Sequence, residues 1–123
     1  MDMKQIDPAL GLMKDFSKVS SGTVQDIDKM RQKAIFTEGV VSKKNKIMAA
    51  VIWAISTKCE PCFKFYVQKA KEADISEQEF GEFMAIASTM GGCVGEMWAL
   101  KAYKVFKDQD EESANKKDPS CCS

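Results

Sequence analysis

Apolar residues recur at three- and four-residue spacings through most of this chain, and only short β-branched or aromatic patches interrupt them. That is the period of helices which each bury one stripe, so the pattern predicts an all-α protein of about six helices. Asp7-Pro8 sets an N-cap before a proline suited to the first helical position. Leu10, Met13, Phe16 and Val19 then share one face until Ser20-Ser21-Gly22 breaks the segment. Thr23 with Asp26 resembles an acidic capping box and opens a second helix, whose stripe of Val24, Ile27, Met30, Ala34 and Ile35 ends near Glu38-Gly39. Ser42 caps a third. Its stretch from Ile47 to Ile55 is apolar on every side, so it is expected at the centre, surrounded by protein.

After Ser56-Thr57-Lys58 comes Cys59-Glu60-Pro61-Cys62, with the proline where the first turn of a fourth helix accepts it; that helix is expected to run to about Ala73. Ser76-Glu77-Gln78-Glu79 forms the capping box of a fifth, with Phe80, Phe83, Met84, Ile86 and Ala87 as its buried face and Gly91-Gly92 as its end. A sixth, carrying Val94, Met97, Trp98, Lys101, Tyr103 and Val105, is expected to reach about Lys107. The polar, charged stretch 108–123 reads as a mobile tail behind a single helical domain spanning residues 1–107. No internal repeat is visible at any period.

A chain of 123 residues suits one hydrophobic core. Eighteen Lys plus Arg against eighteen Asp plus Glu leave no net charge to hold a phosphate backbone or an anionic bilayer, so neither nucleic acid nor membrane is expected as a partner. The longest apolar run, Ile47 to Ile55, falls short of a bilayer span, and the N-terminal residues carry acids without an apolar signal core. These features point to the cytoplasm. The apolar stripes exceed what six helices cover among themselves, which predicts a homo-oligomer.

Five cysteines and no histidine change the picture. An odd count in a chain expected inside the cell points to redox or metal chemistry over a structural disulfide framework, and the missing histidine removes the commonest general base and zinc ligand. Cys59 and Cys62 lie one turn apart at a helix start, where free backbone N–H groups lower a thiol pKa and a disulfide can close. Half a zinc site, or two small buried apolar residues, fit the same spacing. Cys93 after Gly91-Gly92, a second thiol at a helix start, and Glu96 one turn further on are candidate accessory residues of this site, although burial as a small apolar side chain is the stronger expectation for Cys93 and a first-turn acid favoured by the helix dipole for Glu96. Cys121 and Cys122 either resolve an oxidised Cys59 or Cys62, carry electrons to a partner, bind a soft metal or metalloid, or are incidental. The eight methionines sit largely at packing positions.

Ser42-Lys43-Lys44-Asn45-Lys46, the apolar helix, Cys59-Glu60-Pro61-Cys62, Lys69-Ala70-Lys71-Glu72-Ala73, Ile75-Ser76-Glu77-Gln78-Glu79 and Met90-Gly91-Gly92 together resemble the carboxymuconolactone decarboxylase superfamily. Within it the likeness is to the alkylhydroperoxidase D-like branch, over roughly residues 6 to 107. The resemblance implies an all-α fold, homo-oligomers such as trimers or hexamers, and thiol-dependent reduction of peroxides or disulfides supplied by a thiol electron donor, with no bound cofactor or metal. It assigns peroxide attack to Cys62 and resolution to Cys59. The branch's proton relay, a histidine four residues after the second cysteine and a glutamate twelve before the first, falls on Tyr66 and Ile47. Both relay groups are therefore absent.

Without a base, a buried thiol is pushed toward its neutral form. Tyr66, one turn from Cys62, has an ordinary pKa of about 10 and suits a hydrogen-bond donor better than a base, unless Phe63, Tyr66 and Val67 simply pack. The helix start then favours Cys59 as the first-attacking thiol, with Lys58 and Lys64 stabilising its anion and Glu60 opposing them. The leading expectation is an oxidoreductase cycling Cys59 and Cys62. A non-catalytic thiol protein, binding a soft metal or metalloid or serving as a structural oligomer, is the alternative, and decarboxylase chemistry ranks last.

Overall fold

The computed structural model describes residues 3–117, and among these every regular element is helical. A single turn, α1 (Met3–Ile6), leads into a 3₁₀ turn over Pro8–Leu12, followed by α2 (Met13–Val19), α3 (Thr23–Ala34), α4 (Lys43–Ser56), α5 (Glu60–Glu72) and α6 (Glu77–Lys117). Local chemistry sets most of the starts. The Asp7 carboxylate accepts from the Ala9 N–H at 2.9 Å, and Ser42 Oγ accepts from the Asn45 N–H at 3.2 Å. At α6 the Glu79 N–H donates to Ser76 Oγ while the Ser76 N–H donates to the Glu79 carboxylate, both at 3.0 Å, a complete capping box.

Helix α6 contains a reversal. Gly92 has φ 61° and ψ −145°, a conformation open essentially to glycine alone, and the two arms on either side of it run back along each other. Phe80 stacks on Phe106 with ring centroids 4.5 Å apart, and the Tyr103 hydroxyl donates to Glu77 Oε1 at 2.7 Å. Buried Gly95 lies against the backbone of Ala87. The expected break at Gly91-Gly92 is thus a hairpin turn, and its second arm continues past Lys107 to Lys117. By length and composition α6 passes as a bilayer-crossing helix, but the reversal at Gly92 turns it back on itself and divides its apolar length between two arms.

The core forms where α4, α5 and the α6 hairpin meet. Ile47, Met48, Val51, Ala54 and Ile55 of α4 pack with Phe63, Val67 and Ala70 of α5 and with Phe80, Met84, Ala99, Ala102 and Phe106 of α6. The central place expected for α4 holds on this side only. Its other flank is open, with Ala49 exposed and Trp53 72% exposed.

The reason lies in the N-terminal segment. α1 contacts α5, while α2 packs on α3 and on the 3₁₀ turn, and none of them closes over α4. The stripes expected to be buried in the first two helices are consequently only partly covered: Leu10, Met13, Val24 and Ile35 are half-buried, while Phe16 is 55%, Val19 82% and Met30 67% exposed. The first of those helices is also divided into a 3₁₀ turn and α2, the Leu10 N–H donating to the Asp7 carbonyl three residues back.

Candidate functional site

The connection between α4 and α5 is tight. Thr57 ends α4, Lys58 adopts the left-handed region with φ 56°, and the Cys59 N–H returns to the Ala54 carbonyl at 2.9 Å. Cys59 then stands at the N-cap of α5 with extended backbone, and Glu60-Pro61-Cys62 form the first turn. Pro61 suits this place because its missing N–H has no intrahelical acceptor there. The two cysteines have Cα atoms 5.3 Å apart and sulfurs close enough for a disulfide.

Both cysteines are half-buried and open onto a cavity of about 590 Å³ between α4, the start of α5 and the end of α3. Ala50, Trp53 and Ala54 form the α4 wall, Ile35 comes from the end of α3, and Tyr66 stands on α5 beside Cys62. Lys46 is the charged residue in this lining, and its ammonium donates to the Thr37 carbonyl at 3.0 Å. A smaller cavity of about 120 Å³ lies on the other side of Cys62 and Tyr66, lined by Leu10, Met13, Pro61 and Phe65, with Arg31 as its charged residue.

Tyr66 is therefore brought to the cysteine pair. Its ring stacks on Phe36 at 6.1 Å and meets Phe65 edge-on at 5.1 Å, so the side chain also packs. No protein group among the described residues bonds its hydroxyl. Ile47 is buried in the core at 1% exposure. It offers nothing that relays a proton to the cysteine pair.

The accessory residues divide. Lys58 is exposed in the turn beside Cys59. Glu60 pairs with Lys64 at 3.1 Å, so each largely offsets the other's effect on a thiolate at Cys59. Cys93 does not join the pair: it is exposed at the hairpin tip, against the expectation of burial, because the Gly92 reversal leaves the first residue of the second arm without a covering element. Glu96 lines a separate cavity of about 280 Å³ between the α6 arms, with Glu77, Ser88 and Tyr103. Cys121 and Cys122 lie outside the described residues. Among the described residues no three Cys, Asp or Glu side chains converge, so a metal held by Cys59 and Cys62 would need ligands from beyond them.

Trp53 and Lys46 line the larger cavity and Arg31 the smaller one, and pattern reading missed all three. Trp53 stands within an apolar run where every position looks like core, and Lys46 and Arg31 look like ordinary solvated helix charges. One signal was available for Arg31, which is the single arginine of the chain.

Comparison with known proteins agrees with this architecture. An uncharacterised protein of Cupriavidus necator is 31% identical over 74 residues, 60% of this chain and 66% of that protein, so the chain spans just under two thirds of that relative's length. The crystal structure of an apo carboxymuconolactone decarboxylase family protein from Legionella pneumophila superposes with a TM-score of 0.78, covering 86% of this chain and 95% of that one at 23% identity, a likeness of fold. The sequence pattern of the carboxymuconolactone decarboxylase family matches residues 23–104, which include the cysteine pair, the lining of its larger cavity and the α6 hairpin as far as residue 104. The chain belongs to the carboxymuconolactone decarboxylase family.

Proposed function

We propose that this protein is a thiol-dependent oxidoreductase of the alkylhydroperoxidase D-like kind, which cycles Cys59 and Cys62 between dithiol and disulfide in the cytoplasm. The observation that carries the reading is the meeting of two sulfurs at bonding distance, at the N-terminus of α5, with a 590 Å³ cavity able to admit a substrate. The free N–H groups of the first turn stabilise a thiolate there. In peroxide reduction, one thiolate attacks the peroxide oxygen and releases an alkoxide that takes a proton from water. The resulting sulfenic acid condenses with the second thiol, expelling water and forming the disulfide. Two thiols of a donor then restore the dithiol by exchange, leaving as the donor's disulfide.

With Ile47 and Tyr66 in place of a proton relay, thiol–disulfide exchange fits this site better than peroxide reduction. Exchange needs a thiolate but no protonation of a strongly basic leaving oxygen. Trp53 on the cavity wall provides a fluorescent reporter beside the sulfurs. Reduced protein is expected to form the Cys59–Cys62 disulfide faster with a small disulfide than with hydrogen peroxide. Cys59→Ser and Cys62→Ser should each abolish it, one of them accumulating a mixed disulfide visible by mass. Reaction with both oxidants no faster than that of a free cysteine would defeat the reading and leave a non-catalytic thiol protein.

A further inference from the structure

Arg31 stands at the end of α3, where its own carbonyl accepts from the N–H groups of Ile35 and Phe36 as the helix closes. Arg31 is half-buried and lines the 120 Å³ cavity together with Cys62, and no carboxylate among the described residues pairs with it. The other walls are Met3, Leu10, Met13, Pro61 and the rings of Phe65 and Tyr66. An unpaired guanidinium held against apolar side chains gains more from an anion than an exposed one, and its planar fork matches a carboxylate in two parallel bonds. The volume admits a group of a few non-hydrogen atoms and no more. Cys59 does not line this cavity, so a molecule anchored at Arg31 approaches the disulfide from the Cys62 side.

We propose that Arg31 is the specificity-determining residue for a small thiol, or its disulfide, that carries a carboxylate; this rests on the redox reading above. The carboxylate seats on Arg31, and the substrate thiolate attacks Cys62 Sγ. The Cys59–Cys62 bond breaks, and Cys59 leaves as a thiolate that takes a proton from water. A second substrate thiolate attacks the substrate sulfur of the mixed disulfide and frees Cys62. Two thiols thereby become one disulfide as the protein disulfide becomes a dithiol, and an acidic disulfide substrate follows the same steps in reverse.

The test follows reduction of the oxidised protein by 3-mercaptopropionate and, as its neutral counterpart, 2-mercaptoethanol, both read by tryptophan fluorescence, on wild type, Arg31→Gln and Arg31→Lys. Wild type is expected to favour the acid at equal thiolate concentration. Arg31→Gln should raise the half-saturating concentration of the acid about tenfold, the loss of one charge-assisted anchor, with the neutral thiol unaffected. Arg31→Lys should recover part of the preference. Equal slowing of both thiols, or of neither, overturns the proposal. Binding of the unreactive 3-(methylthio)propionate, followed by NMR on the same proteins, separates the two readings. If wild type binds it and Arg31→Gln does not, the site stands even where no thiol reacts and only the redox function falls. If wild type does not bind it, the site falls.

Discussion

Glu79 shows how much one side chain settles at an element boundary. Its carboxylate bonds the Lys44 ammonium at 2.7 Å and closes the capping box with Ser76, which ties the start of α6 to α4 and holds its pKa at about 2, well below the ordinary 4.5. The lowered value means that the folded chain resists protonation, so this contribution is complete above pH 4.5 and is lost as pH falls toward 2. Thermal melts by circular dichroism across that window should show a steeper loss for wild type than for Glu79→Gln. Parallel curves would mean that the ion pair and cap do not contribute. The box was legible in advance because its partners are three residues apart, as was the one-turn spacing of Cys59 and Cys62. Cys93 was misread because burial at a helix start depends on which element, if any, covers it.

The α6 hairpin rests on two glycines with different duties. Gly92 supplies the backbone reversal, whereas Gly95 supplies close approach: a Cβ there would lie 2.5 Å from the Ala87 carbonyl oxygen. Neither backbone yields cheaply. Gly95→Ala is expected to destabilise by about 1–3 kcal/mol through overpacking. Gly81, exposed on the first arm with open space at its Cβ, gives the opposite sign, and Gly81→Ala should stabilise by about 0.5–1 kcal/mol by removing backbone freedom from the unfolded chain. Urea titrations of both variants decide the point, and equal effects would show that the close packing at Gly95 is not limiting. The glycine pair marked a helix break in the sequence, but that the arms fold back and meet through Phe80, Tyr103 and Phe106 required contacts across more than twenty residues.

Seen whole, the molecule leaves a continuous question of burial. Phe16, Val19, Met30 and Trp53 stay exposed because α2 and α3 pack on each other and not on α4. Such surface is costly in water, and a second copy of the chain is the occupant that the uncovered apolar stripes predict. Analytical ultracentrifugation is expected to give a mass that is a multiple of the chain, and Met30→Glu to lower it. A wild-type monomer at micromolar concentration would end the expectation. The all-α class, the starts of α4, α5 and α6 and the cysteine pair were readable from the chain, since each depends on residues within a turn or two of one another, whereas the capping box expected of Thr23 and Asp26 does not form: Gly22 stands at that N-cap and Thr23 Oγ1 donates to the Ser20 carbonyl. Which stripes are covered, that α4 has an open flank, and that Arg31, Trp53 and Tyr66 gather around Cys62 followed only from packing. Those outcomes depend on how separate helices compete for the same apolar surface, and a periodic pattern records that a face is apolar without recording what meets it.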